Sequence, residues 1–192
     1  MTLFSYTNYR FGGNMSLKIE KIISTISIIL LSFLFHNMYK WFPNSLFAIF
    51  FPVNESIFEH MKILFSSICF YSIIEYIILI KNNIKFNNFL FSTFFTSILS
   101  IFMYLIIFLP VYNIMGENLI FSISLMIIVI IINQIISYNI LNMKHIKYVN
   151  YISIILIIVS YIIFGYFTYH PLHNYLFIDH STNTYGINQY NI

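Results

Sequence analysis

The twenty residues LIFSISLMIIVIIINQIISY, Leu119 to Tyr138, hold no charged side chain, no proline and no glycine. As an α-helix rising about 1.5 Å per residue they span about 30 Å, the thickness of a bilayer's hydrocarbon core. Such a run identifies a membrane-spanning helix, because in lipid a segment must satisfy its own backbone N–H and C=O groups. Four other stretches follow the same pattern: Ile22 to Phe42, the run that starts in the polar residues Asn54 to Lys62 and continues to Ile80, Phe89 to Leu109, and Val149 to Thr168. The fold class is therefore all-α, a polytopic membrane helix bundle of about five transmembrane helices.

Composition supports that reading. Of 192 residues, 59% are hydrophobic and 8% charged, with a net charge of +3 and a mean hydropathy of +0.83. A soluble surface uses about 25% charged residues, so a water-soluble domain is excluded. The positive balance is too small and too scattered for nucleic acid, and the lipid bilayer is the partner the composition names. The single cysteine, Cys69, rules out an intramolecular disulfide and a Cys-based zinc site. Ile, Phe, Tyr, Asn and Lys dominate while Ala48 is the only alanine, a pattern of AT-rich coding that weakens any argument from Ile in place of Leu.

The connections Lys81 to Lys85 and Asn142 to His145 are short and polar, so consecutive spans are expected to be antiparallel neighbours in one bundle, residues 22–169. Residues 1–21 read as a flexible cytoplasmic N-terminus, with Met15 a second plausible start, and residues 170–192 as an extracytoplasmic tail. Leu46 to Phe51, bracketed by Pro43 and Pro52, is too short to cross and is expected in the interface. Lys18 and Lys21 precede the first span as in a signal sequence, but no small-residue cleavage site follows, so an uncleaved anchor is expected. With five spans, one face carries Arg10, Lys18, Lys21, Lys81, Lys85, Lys144 and Lys147, and the other only Lys40 and Lys62. Seven against two places the N-terminus in the cytoplasm, with the chain in the plasma membrane.

That orientation gathers polar chemistry on the outer face: His36, Asn37, Asn54, Glu55, Glu59, His60, Glu117, His170, His173, Asp179 and His180. Five of six histidines and four of six acids lie there, leaving His145, Glu20 and Glu75 on the cytoplasmic side. Each has a structural reading too. Ser56-Ile57-Phe58-Glu59 fits a capping box, and Lys62 one turn on can pair with Glu59. Glu75, Asn133 and Gln134 can snorkel or pair inside a narrow bundle, and Tyr39, Trp41, Tyr112, Tyr166 and Tyr169 form an interfacial aromatic belt. Glu55 and Glu59, four residues apart, are expected on one helical face, with His60 about 100° away.

The stretch Val53-Asn54-Glu55-Ser56-Ile57-Phe58-Glu59-His60-Met61-Lys62 resembles the V-N-E-S-x-x-E-H-x-K hallmark of a family of small bacterial multi-span membrane proteins of unknown function. Leu176 to Gly186 resembles that family's closing L-F-x-D-x-x-T-x-T-Y-G segment. The resemblance implies that Asn54, Glu55, Glu59, His60 and Asp179 share one site. It supplies no activity, and His173 and His180 match no position of the pattern.

Three functions compete. A non-catalytic scaffold that recognises a protein partner through its polar face is slightly favoured. A metal-dependent membrane hydrolase follows closely, with a divalent metal such as zinc held by candidates His36, His60, Glu59, His170 and His173 and one position left for water. No H-E-x-x-H or G-x-S-x-G motif is present. A cation or small-solute transporter comes third, since the spans show no internal repeat.

Overall fold

The computed structural model describes residues 15–116 and 118–187, so Met1 to Asn14, Glu117 and Asn188 to Ile192 lie outside the described residues. Six helices follow one another: α1 (Leu17–Trp41), α2 (Ser45–Phe50), α3 (Ile57–Lys81), α4 (Phe89–Met115), α5 (Leu119–Asn142) and α6 (Val149–Tyr169). A two-stranded antiparallel hairpin, β1 (Ile178–Asp179) and β2 (Thr184–Tyr185), closes the described chain. The architecture is an all-α bundle, and α3 to α6 are each long and apolar enough to cross a membrane. The first helix is as long as α3, and it packs along α3 and α5. It begins at Leu17, so residues 17–21 belong to the bundle and not to a flexible lead.

The third helix is the hub. It packs against α1 and α4, while α4 in turn packs against α5 and α6. Large side chains on the outward faces of the other long helices, such as Leu30, Ile106, Ile132 and Ile162, stay exposed, as suits contact with lipid. Inside, hydroxyl side chains let the helices approach closely. Ser32 of α1 donates to Ser67 of α3 at 3.0 Å, and Ser92, Thr96 and Ser100 of α4 are buried with their hydroxyls satisfied.

Local chemistry sets the boundaries around the second span. Ser56 is the N-cap of α3, and its Oγ accepts the Glu59 N–H at 3.3 Å, a contact typically worth about 1 kcal/mol. The reciprocal half of the capping box is not made. The Ser56 N–H donates to Asn54 Oδ1 at 2.9 Å, and Glu59 Oε2 reaches further back to accept the Val53 N–H at 2.9 Å. The segment between the two prolines forms one and a half turns, capped by Asn44, and packs on α6 where Gly165 leaves room. A Cβ at Gly165 would stand 3.3 Å from Ile49 Cγ1. The fourth helix runs beyond the expected end at Leu109, passing through Pro110 to Met115.

The tail folds back onto the bundle. The Phe58 N–H donates to the Leu176 carbonyl at 2.8 Å, and the Phe58 and Phe177 rings stack at 4.3 Å. The Ile187 N–H donates to the Thr168 carbonyl at 3.0 Å, and Asn54 Nδ2 donates to the Gly186 carbonyl at 2.9 Å. These bonds clamp the Pro52–Ser56 connector between the bundle and the hairpin.

Candidate functional site

At this pole the C-terminal end of α1, the connector before α3 and the first turn of α3 bring His36, Glu55 and His60 together. One ligand atom from each lies within 4.8 Å of the others. Glu55 Oε2 stands 3.3 Å from His60 Nε2 and 3.7 Å from His36 Nε2. A tetrahedral ion bound at about 2.0–2.1 Å separates its ligand atoms by about 3.3 Å, close to this spacing.

The surroundings fix each donor. His60 Nδ1 lies 2.9 Å from the Ser56 carbonyl, which can only accept, so the proton of a neutral imidazole sits on Nδ1 and Nε2 is the nitrogen that could ligate an ion. A backbone carbonyl behind the ring is the usual support of a metal-binding histidine. Glu55 Oε1 accepts from Lys40 Nζ at 2.6 Å, which leaves Oε2 turned to the imidazoles. When His60 is doubly protonated, its Nε2–H donates to Glu55 Oε2 and holds the Glu55 carboxyl well below its ordinary value, at about 2; burial opposes this, and Lys40 reinforces it. Where the imidazoles are neutral, the Lys40 ammonium still favours the Glu55 carboxylate.

Asp179 supports the site from the tail. Its Oδ2 accepts the Glu55 N–H at 3.2 Å, while Oδ1 accepts the Ser181 N–H at 2.8 Å and the Ser181 hydroxyl at 2.6 Å. Burial alone would raise this carboxyl, but the hydrogen bonds from Ser181, Glu55 and Thr182 outweigh it and hold the group below its usual range. His36, Glu55, His60 and Asp179 line one cavity of about 210 Å³, completed by Tyr104, Tyr112 and Ser122 of the neighbouring helices. An apolar recess of about 130 Å³ beside it also borders His36 and His60 and is walled by Phe33, Ile63 and Met126.

The structure separates the remaining candidates. Glu59 does not share a face with Glu55, because Glu55 precedes the N-cap and has no place in the helical repeat. Its carboxylate turns inward instead, to Lys62 Nζ at 2.5 Å and the Thr168 hydroxyl at 2.9 Å. His170 lies against the Tyr166 ring and His173 stacks on Tyr185, outside the His36, Glu55 and His60 group. Asn54 shapes the connector through its bonds to Ser56 and Gly186. Sequence reasoning missed Lys40 as the partner of Glu55, though its place four residues after His36 on α1 offered the signal.

Residues 12–187 match the family of unknown function (DUF6512), and the chain belongs to that family. No curated protein and no solved structure matches it.

Proposed function

Starting from membership of a family without an assigned activity, we propose that this chain is a five-span membrane protein carrying a divalent-metal centre on its extracytoplasmic face. His36, Glu55 and His60 are the ligands, and metal-dependent hydrolysis is the reaction class the centre serves. One observation carries the reading: two imidazole nitrogens and a carboxylate oxygen converge at the spacing of a zinc-class ion. Three protein ligands leave a fourth position, facing the cavity, where a bound water would be activated. The orientation rests on the seven-to-two partition of Lys and Arg, with α1 as the fifth crossing. A reporter fused after Gly186 is expected to read out on the extracytoplasmic side. A cytoplasmic readout would remove the outer-face assignment.

Purified protein dialysed against zinc is expected to retain one ion per chain, and cobalt substitution to give the visible absorption of a tetrahedral site. His36→Ala, Glu55→Gln and His60→Ala should each lower affinity by about 100-fold or more, while His173→Ala leaves it unchanged. Affinity should fall as the pH is lowered, because both imidazoles must be neutral to ligate. A protein that folds but holds no stoichiometric metal would overturn the proposal in favour of a scaffold that recognises a partner.

A further inference from the structure

A second polar cluster lies at the opposite pole of the bundle, and it is independent of the metal centre. Glu20, Lys21 and Ser24 come from the start of α1, Tyr71 and Glu75 from α3, and Gln134 and Ser137 from α5. All seven are buried, Glu20 and Ser24 completely. Glu75 does not snorkel to the surface. Its Oε1 accepts from Lys21 Nζ, which also donates to Ser137 Oγ at 2.6 Å and approaches Gln134 Oε1 at 3.4 Å.

The charges in this cluster do not balance. Two carboxyls face one ammonium, so full ionisation leaves a net charge of −1 in a dry helical interior, at a large desolvation cost. Glu20 Oε1 accepts from the Ser24 hydroxyl at 2.6 Å, but its Oε2 has no hydrogen-bond partner and lies 4.0 Å from Lys21 Nζ. The Glu20 and Glu75 carboxyls lie close together, both within reach of the Lys21 ammonium. An independent observation lies beside it: the hydroxyl of Tyr71, a residue 2% exposed, is buried without a hydrogen-bond partner close to Glu20 and Glu75. Among the described residues no further charge offsets the excess, because α5 presents only an amide and a hydroxyl here, α4 reaches the cluster through the Ser92 hydroxyl on Ser137, and α2 has no ionisable residue.

We propose that Glu20 and Glu75 form an internal protonation site, in which one exchangeable proton is shared between the two carboxyls and Lys21 is the counter-charge. With the proton bound, Glu20 donates through its O–H to the Glu75 carboxylate, and the cluster is neutral. Release of the proton leaves two carboxylates with the orphaned Glu20 oxygen and the Tyr71 hydroxyl positioned to reorganise around the new charge. Glu75 lies six residues from the end of α3, about 9 Å along the helix axis, so the proton is held within the bundle and not at its rim. Intramembrane carboxylates of this kind mark proton pathways.

The test is infrared difference spectroscopy on full-length protein reconstituted in lipid. At neutral pH the wild type is expected to show the C=O stretch of one protonated carboxylic acid, which disappears in alkaline buffer. Glu20→Gln and Glu75→Gln should each abolish that band, because the carboxyl that remains is then neutralised by Lys21 and ionises. The wild-type spectrum needs no variant to fold, and the band's absence at neutral pH would overturn the proposal. Persistence of the band in either variant would also overturn it, as would thermal stability that rises with sodium concentration, which would identify a metal cation as the occupant. Zinc retention at His36, Glu55 and His60 is expected to be unchanged in both variants, so this result stands or fails apart from the metal centre.

Discussion

Replacing Lys62 by methionine is expected to destabilise the folded bundle by about 3–5 kcal/mol, the cost of stranding one member of a buried ion pair. The Lys62 ammonium is fully enclosed and makes three short contacts: Glu59 Oε2 at 2.5 Å, the Ala48 carbonyl at 2.7 Å and Thr168 Oγ1 at 2.7 Å. Those partners belong to α3, α2 and α6. Its loss would therefore leave a buried carboxylate uncompensated and a buried carbonyl unpaired, and would loosen three elements together. Glu59→Gln alone should also destabilise, since it leaves the ammonium without its counter-charge. A Glu59→Leu, Lys62→Met double variant should recover part of the loss, because an apolar pair of similar volume carries no desolvation penalty. Unfolding in mixed micelles, read as a double-mutant cycle, measures the coupling. If Lys62→Met unfolds within about 0.5 kcal/mol of wild type, like a change at an exposed pair, the pair is not the structural node described here.

The same pair shows where reading the sequence succeeds and where it stops. The apolar runs predict the helices because a membrane-compatible segment must be continuous, and α3 to α6 lie where those runs lie. Ser56 was legible as a cap, since hydroxyl side chains before an apolar run have few other local roles. The proposed ligand set was only half legible. His36 and His60 stand out as polar groups at span ends, but choosing between Glu55 and Glu59 requires the helix start to within one residue. Glu59 at the third helical position turns inward to Lys62, whereas Glu55, one residue before the cap, stays in a bent connector and turns to the imidazoles. The Glu20 and Glu75 cluster was invisible to one-dimensional reasoning. Its members are 55 positions apart in sequence, and only the packing of α1 on α3 and α5 reveals that Lys21 and Glu75 meet.

Gly186→Ala is expected to release the tail from the bundle and, through the tail, to weaken zinc binding at the proposed site. Gly186 adopts φ +55°, a left-handed conformation that costs an alanine about 1–2 kcal/mol. A Cβ there would also lie 2.5 Å from the Thr168 carbonyl oxygen and 2.9 Å from Pro171 Cγ, closer than any packed side chain tolerates. The backbone must move, and with it go the Asn54 bond to the Gly186 carbonyl and the Ile187 bond to Thr168. Asp179, which holds the Glu55 N–H, rides on the same hairpin, so Glu55 loses its backbone support. Gly116→Ala supplies the control, because φ +72° and ψ −163° place it in a region essentially restricted to glycine and so strain the backbone at least as much, while a Cβ meets nothing within 4 Å. Limited chymotrypsin digestion is expected to cut the tail of the Gly186→Ala protein at Phe177 or Tyr185 at least tenfold faster than wild type, about 1.4 kcal/mol or more of lost docking free energy. Zinc affinity should fall in parallel. Gly116→Ala should leave both unchanged. Equal digestion rates for wild type and Gly186→Ala would mean that the tail is not held against α6 as described, and that Asp179 does not brace Glu55.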